Sequence, residues 1–158
     1  MALNRQMLID AGETITGYTF NIAELLWESE QASGSNAAYL YPEGNKRLAM
    51  IGDAVSKLAI LGDLRARNIP RGSMDSIVQR VVNNANLERV GRRNHIDDLV
   101  NRNPSQQGIV SPRIVADTVE AILGAVYLDS GNDIDCVRLV MARIGLWPQE
   151  QEQQLALL

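Results

Sequence analysis

The stretch from Pro112 to Leu128, "PRIVADTVEAILGAVYL", constrains the fold of this chain more than any other. At about 100° per residue, Val115, Val119, Ile122 and Val126 form one apolar stripe, and Asp117 and Glu120 share the opposite edge. Pro112 suits a first helical turn, and "DSGND" stops the pattern after Leu128. Such a helix must pack its stripe against other elements, and no segment of the chain requires a strand. Apolar residues make up 46% of the 158 positions and aromatics only 4%, so aliphatic side chains fill the interior. The expectation is one all-α domain, a helical bundle.

The rest of the chain follows the same period. Met7, Leu8 and Ala11 have helical spacing, a break is expected from Gly12 to Gly17, and Leu25 and Leu26 mark a second short helix. "GSNAAYLYPEG" reads as a loop, after which Asn45 can cap a helix from Lys46 to about Arg67 with Leu48, Ile51, Val55 and Leu58 as its buried stripe. Ser73 can cap a helix carrying Met74, Ile77, Val78 and Val81, and Asn83 or Asn84 restarts the pattern through Leu87 and Val90. "NRNPSQQGIVSP" reads as an exposed loop, and Asp133 opens a last helix through Ile144. Residues 1–12 are expected as an N-terminal segment, 13–147 as the domain, and 148–158 as a tail that frays or packs on a neighbour.

Several function classes lose their footing at once. No run approaches the roughly 20 apolar residues of a membrane-spanning helix, and no signal sequence is visible, so a soluble, intracellular protein without membrane contact is expected. Cys136 is the only cysteine and reads as a small buried hydrophobe. His95 is the only histidine and stands beside a short helix with no nucleophile motif, which disfavours a Ser/His/Asp or Cys/His system. A net charge of −4 restricts any polyanion partner to local basic patches.

The acids are better placed. Asp53 lies on the flank of its helix with Ala49 and Lys57, beside Gly52, and Glu120 is followed one turn later by Gly124. Glycine costs about 1 kcal/mol in a helix interior, so each needs a reason, and close approach of two helices is one. That approach would bring Asp53 towards Asp117 and Glu120, and a hard divalent cation such as Mg²⁺ would relieve their mutual repulsion. The same spacing also allows a plainer arrangement, in which Asp53 pairs with Lys57 and the other two acids form a solvated face.

The segments "GYTFNIAELLWES", "NKRLAMIGDAV", "VVNNANLERVG" and "ADTVEAILGAVYLDSG" resemble ribonuclease III, over about Glu13 to Trp147. The resemblance covers the catalytic endonuclease domain, read here without a separate double-stranded-RNA-binding domain. It implies an all-helical homodimer that cuts double-stranded RNA with Mg²⁺, or Mn²⁺, and leaves staggered 3′ overhangs. By position, Asp53, Asp117 and Glu120 match metal-site acids of the family. Where the family reads Leu-Glu-Phe, this chain reads Leu48, Ala49 and Met50, so one ligand glutamate is replaced by a methyl group. Lys46 stands where an acid is frequent, Ser73 replaces another, and "MDSIVQ" lacks the arginines usual in that helix.

Water could replace the missing oxygen, or Glu43 could reach in from its loop. Candidate RNA contacts are Lys46, Arg65, Arg67, Arg71, Asn84, Arg89, Arg92 and Arg93, since duplex RNA is held through phosphate and 2′-hydroxyl contacts. The rival reading is a catalytically impaired ribonuclease III-like module that binds RNA or serves as a structural component of a ribonucleoprotein.

Overall fold

The computed structural model describes residues 4–149, and seven α-helices account for most of them. They are α1 (Arg5–Thr16), α2 (Ala23–Ser29), α3 (Lys46–Ala66), α4 (Arg71–Val82), α5 (Asn84–Arg93), α6 (Pro112–Asp129) and α7 (Ile134–Ile144), with a 3₁₀ turn at Ile96–Leu99. Among the described residues there is no strand, only an isolated bridge between Gln31 and Asn101. The all-α expectation holds.

Helix α6 is the centre of the bundle. Ser111 accepts a hydrogen bond from the Ile114 amide and Pro112 follows it, so the helix starts where the sequence indicates. Val115, Val119, Ile122 and Val126 are all buried, and so are Ala116, Ala121, Leu123 and Ala125 on the other sides. The side of α6 that carries Asp117 and Glu120 is therefore only a narrow opening in an otherwise covered cylinder. At its far end, buried Asp129 accepts hydrogen bonds from the Tyr18 hydroxyl (2.8 Å) and from the amides of Asn21 (2.9 Å) and Ile22 (2.7 Å), which fixes the α1–α2 connection to the core.

The most extensive helix contact is α3 on α6, and it is made by backbone. A Cβ placed on Gly52 would lie 1.6 Å from the Glu120 carbonyl oxygen, and one on Gly124 would lie 2.3 Å from the Leu48 carbonyl oxygen. Neither position can carry a side chain without moving a helix. The close approach expected from the two glycines is present.

Four local expectations are corrected. Gly12 does not break α1, because Leu26 and Glu30 pack flush on it; a Cβ there would meet Glu30 Oε1 at 2.9 Å and Leu26 Cδ2 at 3.0 Å. The helix thus crosses the boundary drawn at residue 12, with Leu8 and Ile9 in the core. Leu58 is 58% exposed, because α6 approaches the side of α3 made by Ala49, Gly52, Ser56 and Ala59, small residues that an apolar count overlooks. Asn45 does not cap α3; its Nδ2 donates to the Ser29 carbonyl (2.8 Å) and to Thr118 Oγ1 (3.0 Å), tying the start of α3 to α2 and α6. Ser73 lies inside α4, since extended Pro70 already sets the start at Arg71. Asn83 and Asp133 do cap α5 and α7. The tail expectation falls mostly outside the described residues.

Glu30 is fully buried, and neither of its carboxylate oxygens has a hydrogen-bond partner. Burial pushes its carboxyl up to about 8. The native state therefore keeps a proton that the unfolded chain releases from about pH 4.5, so this contribution to stability is full below that pH and is lost as pH rises through about 8.

Two predictions follow from this packing. Gly52→Ala should destabilise the domain by about 2 kcal/mol or more, whereas Gly62→Ala in the same helix, with nothing within 4 Å of the added Cβ, should stabilise it by up to about 1 kcal/mol; urea unfolding checks both. In the same assay, Glu30→Gln should flatten the loss of stability between about pH 4.5 and about pH 8.

Candidate metal and phosphate site

The crossing of α3 on α6 sets up the cleft. Gly52 rests against the Glu120 backbone, so Asp53, the next residue on α3, emerges beside the turn of α6 that carries Asp117 and Glu120. The three carboxylates line one cavity of about 510 Å³, together with Glu43, Lys46, Ala49, Met50, Asn84 and Arg113. Segments far apart in sequence are thus joined at one opening.

The electrostatics agree with that proximity. Glu120 is pushed up to about 7, first by burial and then by the negative charges of Asp53 and Asp117; Lys57 and Arg113 oppose the shift. Asp53 is held by Lys57, Nζ to Oδ1 at 3.1 Å, and Asp117 by Arg113, Nε to Oδ1 at 3.4 Å. Both the convergence of acids and the plainer Asp53–Lys57 pairing are therefore present together. Among the described residues, no three His, Cys, Asp or Glu side chains already form a cage for a metal ion.

The donor chemistry nonetheless fits a hard divalent cation. The acids offer only oxygen ligands, they destabilise each other's charge, and the cleft is wide enough for water to fill remaining positions. Ala49 is 5% exposed and contributes a methyl group to the lining. Glu43, on the loop before α3, lines the same cavity.

Of the candidate RNA contacts, Lys46 and Asn84 share the cavity with the acids. Arg65, Arg67 and Arg71 lie at the opposite end of α3 and the start of α4, beginning about 18 Å from Asp53 at 1.5 Å per residue. Arg67 pairs with Asp63 at 3.0 Å. On α5, Arg89 donates to Asn86 Oδ1, and Arg92 pairs with Glu88 (2.9 Å) and donates to the Val110 carbonyl (2.7 Å), bracing the loop before α6; Arg93 is exposed. Arg113 and Met50 line the cleft but were not among the sequence candidates. Their signal was available: Arg113 precedes Asp117 by one turn, and Met50 is an apolar residue outside the stripe. His95 and Cys136 stand apart from the cleft, His95 pairing only with Asp98 (3.4 Å).

The helical fold has known counterparts. The nuclease domain of ribonuclease III from Campylobacter jejuni superposes with a TM-score of 0.76 at 22% identity, covering 89% of this chain and 97% of that one. Another structure of that domain, described for flexibility in the region involved in dimer formation, gives 0.75. The family model of the Ribonuclease III domain matches residues 46–131, more than half of the chain, and this chain belongs to the ribonuclease III family. Ribonuclease 3 of Photobacterium profundum is 33% identical over 130 residues, and that of Vibrio parahaemolyticus 32% over 138, or 79% and 84% of this chain. The chain spans 55% and 58% of the lengths of those two relatives. No helix among the described residues is long and apolar enough to cross a membrane.

Carbon-13 NMR of the metal-free protein should show the Glu120 carboxyl titrating near 7. Asp53→Asn should lower that value, because it removes a repelling charge and releases Lys57.

Proposed function

We propose that this domain is a metal-dependent endoribonuclease that hydrolyses double-stranded RNA, with Asp53, Asp117 and Glu120 as the residues that hold Mg²⁺ or Mn²⁺. The observation that carries this reading is the single acid-lined cleft formed across the α3–α6 crossing in a chain of the ribonuclease III family.

When bound, such a cation lowers the pKa of an attacking water and neutralises charge on the leaving 3′ oxygen. The chain's own residues do the positioning. Asp53 and the Asp117–Glu120 pair offer oxygens from two helices that cannot shift relative to each other, because Gly52 and Gly124 are in backbone contact. Lys46, exposed in the first turn of α3, and Asn84, at the first turn of α5, stand at the cleft where phosphate oxygens would lie. Ala49 leaves room for a water in place of a carboxylate. Arg65, Arg71, Arg89 and Arg93 remain candidates for backbone contacts outside the cleft, whereas Arg67 and Arg92 serve ion pairs first.

A homodimer completes the reading, since one cleft cuts one strand and the staggered 3′ overhang needs two. Met50 is 76% exposed and Leu58 58%, and with exposed Ala54 between them they form an apolar line along α3 at four-residue spacing. Met50 also lines the cleft, so a partner on this line would sit at its edge. The dimer-formation region described for the Campylobacter jejuni domain supports the same expectation.

The test is incubation with long duplex RNA, with Mg²⁺ or with chelator. Wild type should cut only with the metal, Asp117→Asn should lose at least about 100-fold in rate, and Ala49→Glu should cut faster than wild type. Cleavage indifferent to chelator and to Asp117→Asn would defeat the mechanism. Inert wild type beside an active Ala49→Glu variant would instead identify the natural domain as an impaired RNA-binding or structural module. By sedimentation, wild type should be a dimer and Met50→Glu with Leu58→Glu a monomer.

A further inference from the structure

The cleft carries its own cations. Lys57 stands one turn beyond Asp53 on α3, with Nζ 3.1 Å from Oδ1 and 3.3 Å from Oδ2, so it engages both oxygens of that carboxylate. Arg113 stands one turn before Asp117 on α6, with Nε 3.4 Å from Oδ1. Lys57 thus contacts both oxygens of Asp53 and Arg113 one oxygen of Asp117, and a metal held by these acids would draw on the same carboxylates. At position 49, a methyl group stands where a further acid would raise the negative charge. Charge in the cleft is thus reduced twice, by an acid withheld and by two cations aimed at the acids that remain.

We propose that Lys57 and Arg113 are tethered counter-ions of the cleft, which a divalent cation must displace from Asp53 and Asp117, so that these two residues set how much metal the domain needs. The inference rests on the reading of the cleft as a metal site. Lys57 and Arg113 act through the two aspartates and are positioning residues.

Physical magnitudes make such an exchange workable. The side chains of Lys57 and Asp53 are 39% and 44% exposed, and Arg113 is 76% exposed against a more buried Asp117 at 17%, so each pair has at least one partner open to water. Half-exposed pairs of this kind contribute little to stability and are readily broken. A divalent ion carries twice the charge and approaches carboxylate oxygens to about 2.1 Å, closer than an ammonium or guanidinium nitrogen can. The cations therefore compete with the metal without excluding it. They also lessen the repulsion between acids before metal arrives, which together with the uncharged position 49 lets Asp53, Asp117 and Glu120 share one cleft.

The experiment is titration of the whole chain with Mn²⁺ alone, reading free Mn²⁺ by electron paramagnetic resonance at fixed ionic strength. Lys57→Met and Arg113→Met should each bind Mn²⁺ roughly two- to fivefold more tightly than wild type, and the double variant about tenfold. Lys57→Arg should return to nearly wild-type affinity, which loss of packing alone would not predict. Added KCl should narrow the difference between wild type and the double variant. Asp117→Asn controls for the underlying reading. If it binds more weakly than wild type while the two Met variants bind no better than wild type, the counter-ion role is overturned and the metal site stands. If Asp117→Asn binds as well as wild type, the metal site itself is wrong and the counter-ion role falls with it.

Discussion

The contact of two peptide backbones at Gly52 and Gly124 is the constraint from which the rest of this domain follows. Helices normally keep 8–10 Å between axes because side chains intervene. Here α3 and α6 meet with Gly52 against the Glu120 carbonyl and Gly124 against the Leu48 carbonyl. The approach fixes the relative rotation of the two helices as well as their distance. Asp53 cannot be on any other side of α6, and Glu120 cannot turn away from α3. A functional constellation that must hold its geometry is best carried on elements that cannot slide, and a glycine contact between regular helices provides that.

That rigidity brings an electrostatic penalty. Moving carboxylates together at a half-buried surface raises the free energy of their charged forms, and Glu120 shows it in a carboxyl displaced to about 7. The chain responds with Lys57 on one helix and Arg113 on the other. Asn45 adds a different kind of support: it satisfies Ser29 and Thr118 in the buried start of α3, where an unpaired polar group would be costly. Glu30 lacks such partners and keeps its proton instead. Acids of one fold thus have opposite solutions, protonation for Glu30 in the core and counter-ions for Asp53 and Asp117 at the cleft.

Much of this architecture was legible in the sequence. The α6 stripe and its start at Pro112, the caps at Asn83 and Asp133, and the meaning of Gly52 and Gly124 all follow from local rules, because each is decided by a few adjacent residues. The meeting of Asp53, Asp117 and Glu120 at one opening follows from those two glycines rather than from any stripe. What failed did so where tertiary packing overrules local preference. Gly12 looks like a breaker but is a docking surface for Leu26; Asn45 looks like a cap but is a tie between helices; Leu58 looks like core but faces outward because smaller residues won the contact with α6. The commitment of Arg92 to Glu88 and Val110 was hidden as well, since its partner Val110 lies in a loop that has no periodicity to read.

The residues around Ala49 tie the two halves of the molecule's chemistry together. Leu48 gives its carbonyl to the contact with Gly124, Ala49 lines the cleft with a methyl group, and Met50 faces outward at the cleft edge. Three consecutive residues thus serve the core, the site and the surface in turn, as the helical rotation of 100° per residue requires. A change at any one of them is felt by the other two through a helix that cannot rotate. A partner seated on Met50 would therefore reach the cleft edge, exclude water there and strengthen every charge interaction within it.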